Sequence, residues 1–564
     1  MLVFHGYLLR GTGSNVYNAS LAPALAGLGH EVHLLCQDRD AGALEWVDRV
    51  GRWQEGELVV EGTPAPGESS VTAYAPEIGG LLPVYVRDAY EGFEVREFGE
   101  LTEGELERYL EANVAAVRDV ARAAGGVDAA LANHLVMGPV VLARAALGEH
   151  GLGPDRYAVK VHGSALEYTV KPQPQRFLPY AREGLARAAA VLVGSRHTAE
   201  SLWAALDDPD LPARTRLGPP GVDTTLFHPI SSEKATVRLH RLVSKLRSEA
   251  PREEDRADRR RVARRGGPPP VARRPQAEDA GGGAPRQDPP PQRSDPPASA
   301  WGRDPDTAAE AIEWWAEARG PRVVFVGKLI VSKGLDLLLA AWPLVVARDP
   351  GARLLVVGFG EYGDALRRLW NAIERADTEE VGEVAARGRA LEGGPEEPLR
   401  MLGAFLENLP DEYGPASAAA AGSVGFAGRL EHDEVGALVP CAEALVFPSS
   451  FPEAFGMVAA EVAAAGVLPV SAAHSGALEV SRELAAALPG EASHLVSFPV
   501  GDGAVEAIAS RINGWLALGG EDRERARRAL VETATRLWSW EGVARGVVAA
   551  AGGELDALPA AVSE

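Results

Sequence analysis

Twice in this chain a short apolar run gives way to a glycine-containing turn, a helical pattern and then another apolar run. The first series opens with "MLVFHGYL", passes through "RGTGSN" and the helical "VYNASLAPALAGLG", and reaches a second strand at "HEVHLLCQ". The runs "AALANHLV", "YAVKVHG" and "AAVLVGS" continue it as far as "GPPGVDTTLFHP". The second series starts at residue 321 with "RVVFVGKLIVSKG", then a helix in "LDLLLAAWPLVVA" and a strand with a Gly-rich turn in "ARLLVVGFGEYG". Strands that alternate with helices build parallel sheets with helices on their faces. Two such series predict two α/β domains, and 564 residues exceed what one hydrophobic core organises.

The segment between the two series, residues 231–306, can join neither. Ten prolines fall between Pro268 and Pro297, mixed with Gly, Arg and Asp, and residues 231–300 carry 16 Lys and Arg against 10 Asp and Glu. Such a stretch buries too little apolar surface to offset its ordering entropy, so its centre reads as a disordered linker; its flank "TVRLHRLVSKLRSE" reads as a short basic helix. The expected organisation is a first domain over 1–230, the linker over 231–306 and a second domain over 307–530. An acidic helical insertion occupies about 364–420, and a closing helix over 531–564 is expected to pack back on the first domain.

The net charge of −22 disfavours nucleic acid and anionic membranes as main partners. Two cysteines, Cys36 and Cys441, cannot build a disulfide framework or a Cys-based zinc site and suit a reducing compartment. The opening "MLVFHGYLLRG" lacks the basic leader of a signal peptide, and no apolar run is long enough to span a bilayer. A cytoplasmic location is the expectation.

The chemistry concentrates in "FPSSFPEAFGMVAAEVAAAG", residues 447–466. Glu453 and Glu461 stand there among small and apolar residues at a strand-to-helix junction, with no neighbouring Lys or Arg. A helix starting near Phe455 to Met457 would offer free backbone N–H groups to an anion. Two carboxylates beside that anion site could each accept hydrogen bonds from vicinal sugar hydroxyls.

With its surroundings this segment resembles the retaining glycosyltransferases of family 4, which have the GT-B fold: two facing Rossmann-like domains with parallel sheets and an interdomain cleft. "PEAFGMVAAE" is similar to the family's two-glutamate signature, and "VFVGKLIVSKGLDLLLAAW" to its phosphate-binding segment. "LAGLGHEVHLL", "PPGVDTTLFHP" and "VGFAGRLEHDEVGALVPCAEALVFPSS" resemble its other conserved stretches in order. The resemblance spans both α/β halves and leaves out the linker and the 364–420 insertion. It implies transfer of a hexose from a nucleotide-diphospho-sugar to an acceptor, with retention of configuration. The acceptor could be a sugar, a small molecule or a lipid-linked glycan.

The resemblance also implies roles. Glu453 would bind donor-sugar hydroxyls, Glu461 the ribose, and the amides of Phe455, Gly456 and Met457 the sugar and diphosphate. Lys328 and Lys333 would neutralise the diphosphate with no metal or other cofactor. Lys328 stands where many family members carry Arg, and a point charge replaces a bidentate fork. Gly11 and Gly13 would let the first loop approach the diphosphate, and His162 in "VKVHGS" would lie beside the transferred sugar.

Each residue also has a plainer reading. Glu461 could only complement a helix dipole, Lys328 and Lys333 could be solvated loop lysines, His162 and His134 satisfied core histidines, and Gly11 and Gly13 mere turn formers. "GTGSNV" lacks the third glycine of a dinucleotide fingerprint, because Val16 stands in its place. Asp38-Arg39-Asp40 resembles a metal-binding Asp-x-Asp of a different fold. A nucleotide-sugar- or carbohydrate-binding protein without turnover, and an NAD-dependent oxidoreductase, remain as alternatives.

Overall fold

The computed structural model describes residues 1–11, 13–62, 69–86, 90, 92–249 and 303–562. Among these residues the first domain is built on a nine-stranded sheet. Across it the strands run Thr215–Leu217, Ala188–Val193, Tyr157–Val161, Ala130–Asn133, Leu2–Phe4, Val32–Leu35, Val71–Ala75, Arg49–Gln54 and Glu57–Glu61. All neighbours are parallel except the last pair, a hairpin closed by Glu55 and Gly56, both at positive φ. That conformation at both turn residues gives a two-residue hairpin loop the twist its strands require. The central strands are buried along their whole length, which is why they read as apolar runs without alternation.

The second domain carries a six-stranded parallel sheet in the order Val424–Gly428, Arg353–Val357, Arg322–Val326, Ala444–Phe447, Leu468–Ala472, Ser497–Phe498. The two domains are thus α/β units with parallel sheets, facing each other across a cleft. The 364–420 stretch is the connection between the neighbouring strands Arg353–Val357 and Val424–Gly428. Its helices Gly363–Glu374, Thr378–Arg387, Arg400–Glu407 and Tyr413–Ala419 send Leu366 and Trp370, Val384, Phe405 and Tyr413 into the second-domain core.

Helical structure reaches further into the 231–306 segment than its composition suggests. Ser232–Glu249 is a continuous helix, and its Ala235, Leu239, Leu242, Val243 and Leu246 join the second-domain core beside helix Pro305–Ala316. Those five positions form one apolar stripe at helical spacing. The basic residues around the stripe dominate the composition and hide it. The Pro- and Arg-rich centre, 250–302, lies outside the described residues.

At the C-terminal side, helix Gly520–Leu537 stays on the second domain through Ala526, Leu530 and Ala534. The chain crosses back at Trp538, whose carbonyl accepts from the Val222 amide at 2.6 Å. Helix Trp540–Gly552 then lays Ala544, Val547 and Ala550 on the first-domain core. Both interdomain crossings therefore run side by side. Among the described residues no helix is long and apolar enough to cross a membrane.

Candidate active site

In parallel α/β sheets the loops after the strands gather at one edge, where a ligand crevice forms. Strand Arg322–Val326 runs into Gly327 and Lys328, and the following turn Val331–Lys333 ends on Lys333. Gly334 next to it has φ +65°, and a Cβ there would lie 2.0 Å from the Pro448 carbonyl oxygen. Only glycine lets the Lys333 turn sit so close to the loop after strand Ala444–Phe447. The Ser450 amide donates to the Ser332 carbonyl at 2.9 Å and fastens the two loops together. From behind, Glu392 Oε2 accepts from the Val331 amide at 2.7 Å.

The second loop carries Glu453 and leads into helix Met457–Ala464. Gly456 precedes that helix at φ +100°, the left-handed entry that glycine permits. Glu453 is held at three points. Its Oε1 accepts from Lys333 Nζ at 2.5 Å and from Ser449 Oγ at 2.7 Å, and its backbone amide donates to Ser475 Oγ at 2.8 Å. The lysine of one loop and the carboxylate of the other thus meet directly.

Around them the two domains enclose a cavity of about 500 Å³. From the second domain it is lined by Lys328, Lys333, Glu453 and the Phe455–Met457 edge; from the first by Gly11, Gly13 and His162. Nine of the ten residues singled out in the sequence therefore share one cavity. Gly11 has φ +95°, and Gly13 opens helix Gly13–Gly27 opposite Met457, whose Sδ a Cβ on Gly13 would meet at 3.8 Å.

Glu461 is the exception. It sits in the second turn of its helix, buried, and is not among the cavity's lining residues. His432 lies beside it, with Nε2 3.7 Å from Oε1, and burial lowers the His432 pKa, so the imidazole supplies no fixed positive charge. Burial, and then the negative charge of Asp223, push its carboxyl up to about 8. The expectation that both glutamates point into the same space holds only for Glu453.

The first-domain wall is a feature the sequence reading touched only in part. His5, His134 and His162 follow the adjacent parallel strands Leu2–Phe4, Ala130–Asn133 and Tyr157–Val161. Asn133 Nδ2 donates to the Phe4 carbonyl and to Asn18 Oδ1, so its Oδ1 accepts from His162 Nε2 at 2.8 Å. Burial, with His134 and Lys160 nearby, holds the His162 imidazole well below its ordinary pKa, hence neutral. Lys160 was missed altogether: it is buried in its strand, its Nζ donates to the Gly218 carbonyl, and burial lowers it to about 7. A lysine inside the apolar run "YAVKV" was the available signal. Asp38, by contrast, accepts from the Leu9 and Asp40 amides and shapes its own loop.

Comparison with known proteins bears on this site. Residues 320–392 and 416–532 match two family models, both described as "Glycosyl transferases group 1". A glycogen synthase of Alkalilimnicola ehrlichii is 38% identical over 103 residues, 16% of this chain and 20% of that protein. A GDP-mannose-dependent alpha-(1-6)-phosphatidylinositol monomannoside mannosyltransferase of Mycobacterium tuberculosis is 38% identical over 66 residues, 12% of this chain and 17% of that protein. The chain thus matches only about a fifth of the length of these relatives.

Solved structures are similar over nearly the whole chain. Sucrose-phosphate synthase from Thermosynechococcus elongatus superposes with a TM-score of 0.51 at 17% identity, covering 99% of both chains. Anabaena Alr3699/HepE in complex with UDP and glucose gives 0.50 at 14% identity, covering 97% of this chain and 98% of that one. At such identities the likeness is one of fold. The chain has the GT-B fold, and two segments of its second domain carry the sequence pattern of glycosyl transferases group 1.

Proposed function

We propose that the protein is a glycosyltransferase that moves a hexose from a nucleotide-diphospho-sugar to an acceptor hydroxyl, with retention of anomeric configuration. The observation that carries this reading is the meeting of Lys328, Lys333, Glu453 and the helix-start amides of Phe455–Met457 in one interdomain cavity. Cations and free amides suit a diphosphate, and a carboxylate held in place suits sugar hydroxyls. The group 1 matches over this same domain support it, as does the UDP and glucose that Anabaena HepE holds on the same fold.

In this reading Lys328 and Lys333 stabilise the charge that builds on the departing diphosphate, with the helix amides beside them. Lys333 now pairs with Glu453, so donor binding redirects its Nζ toward phosphate and leaves Glu453 Oε1 to the sugar. Neutral His162, whose Nε2 is spent on Asn133, keeps Nδ1 as an acceptor for a sugar hydroxyl. Among the described residues no carboxylate stands as an evident nucleophile, so the diphosphate itself takes the acceptor proton as it leaves on the same face. Glu461, buried beside His432 and outside this cavity, takes no part in holding the donor in this reading. Charge neutralisation by lysines and amides makes a divalent cation unnecessary.

Nucleotide release from UDP-, GDP- and ADP-sugars, with and without EDTA, tests this. The expected result is acceptor-dependent release from one donor class that EDTA leaves unchanged. Activity abolished by EDTA and restored by magnesium would refute the metal-free part, and release from no donor would refute the whole.

A further inference from the structure

Three histidines end adjacent strands on the first-domain side of the cleft; His5 is hydrogen-bonded at both ring nitrogens and His162 at one. His5 Nε2 donates to the Leu8 carbonyl at 3.0 Å, and its Nδ1 accepts from Asn18 Nδ2 at 3.0 Å. His162 is tied to Asn133. His134 stands between them, with ring centroids 5.9 Å from His5 and 5.0 Å from His162. It is only 2% exposed, yet neither of its ring nitrogens has a hydrogen-bond partner.

That is a costly state for an imidazole, since leaving a buried polar group unpaired forfeits its hydration with no return. The backbone adds to the anomaly. His134 has φ +69°, an uncommon conformation for a non-glycine residue, and its amide is pinned to the Lys160 carbonyl at 2.8 Å. A core histidine chosen for packing would need neither feature. His134 also lines the cavity of the active site, and the rings of Tyr7 and Tyr85 lie 5.3 and 4.6 Å from it.

We infer that His134 holds a hydroxyl of the acceptor, and that the acceptor is an uncharged polyhydroxylated ring, a sugar or a cyclitol. This rests on the transferase reading above and assigns the part of the cavity that the donor's phosphates do not need. Three arguments fix the ligand class. Burial, and then His5, keep the His134 imidazole neutral, so one nitrogen donates and the other accepts, as a hydroxyl requires. Tyr7, Tyr85 and Tyr90 wall the space beside it, and aromatic faces suit the C–H face of a sugar ring. Among the described residues, the cavity's lysines are placed for other work: Lys328 and Lys333 belong to the second domain, and Lys160 is turned to Gly218. Among the described lining residues no cation is thereby offered to a phosphorylated acceptor.

The test uses whichever nucleotide sugar the wild-type protein consumes, with glucose, maltose and myo-inositol as neutral acceptor probes and glucose 6-phosphate as the charged one. At least one neutral ring should stimulate nucleotide release from the wild type. His134→Ala should raise the KM for that ring by roughly ten- to a hundredfold, the span of one lost buried hydrogen bond. Its Kd for the nucleoside diphosphate, by calorimetry, should shift less than threefold. His134→Gln, which restores a donor and an acceptor, should recover part of the loss. An unchanged acceptor KM in His134→Ala, or stimulation by the phosphorylated probe alone or by no probe, overturns the inference. So does an equal loss of acceptor and nucleotide affinity, which would mark a structural role. Failure of the wild type to consume any donor overturns the transferase reading itself, a result distinct from all of these.

Discussion

At the scale of single residues, the two glutamates that stand alike in the sequence have opposite environments. Glu453 is salt-bridged to Lys333 and faces the cavity. Glu453→Gln should lower turnover by roughly ten- to a thousandfold, since it weakens charged hydrogen bonds at the reacting sugar. Lys333→Ala should cost about a hundredfold or more by removing a counter-charge from the diphosphate. Both are read by steady-state nucleotide release, and unchanged circular dichroism would show that the fold survives. Glu461 predicts a pH effect instead. Burial, and then Asp223, push its folded carboxyl up to about 8 from an ordinary value of 4.5, so the folded state holds the proton longer than the unfolded chain. Its contribution is fully present below about pH 4.5 and is lost as pH rises through about 8. Glu461→Gln should therefore gain in melting temperature over the wild type from pH 5 to pH 8. A constant difference across that range would contradict the burial of an ionisable Glu461. Sequence singled out both carboxylates, but spacing alone could not tell which one reaches the cavity. That depends on where helix Met457–Ala464 starts and on what Asp223 and His432 bring beside it.

At the scale of elements, the cleft is fastened by one helix end. Helix Arg196–Leu206 of the first domain starts at Ser195, whose Oγ accepts from the Thr198 amide. Its remaining first-turn amides, Arg196 and His197, donate to the carboxylate of Glu479 on second-domain helix Ser475–Ala487, both at 2.9 Å. The Thr198 hydroxyl adds a bond to the Ala454 carbonyl, next to Glu453. A carboxylate at a helix N-terminus stabilises by about 0.3–1 kcal/mol when exposed and up to about 2 kcal/mol when partly buried. Glu479→Ala should thus favour a more open arrangement. The expected outcome is a larger radius of gyration by small-angle X-ray scattering and a several-fold higher donor KM. An unchanged radius and KM would show that the contact does not set closure. Nothing in the local sequence marks Glu479 for this work, because its partners lie 282 and 283 residues away. The stripe of helix Ser232–Glu249 was legible in principle, since its apolar spacing is regular.

At the scale of the whole molecule, the fold was legible because strand–helix alternation, Gly-rich turns and buried apolar runs all pointed to two parallel α/β domains. The second-domain half of the site was legible for the same reason: Lys328, Lys333, Glu453 and the Phe455–Met457 amides sit where strands run into loops and helices. The first-domain wall was legible only in part, because Tyr7, His134 and Lys160 are brought together by sheet order and Tyr85 comes in after strand Leu81–Val84 of a separate two-stranded sheet. Leu2–Phe4, Ala130–Asn133 and Tyr157–Val161 are neighbours in space and distant in the chain. The central claim is that this assembled cleft transfers sugar from a nucleotide donor. Its most direct test is nucleoside diphosphate release across a panel of UDP-, GDP- and ADP-linked hexoses, run side by side with wild type, Lys333→Ala and Glu453→Gln. The account predicts release from one donor class by the wild type and a loss of at least tenfold in each variant. Release that is absent from the wild type, or equal in all three proteins, would contradict it.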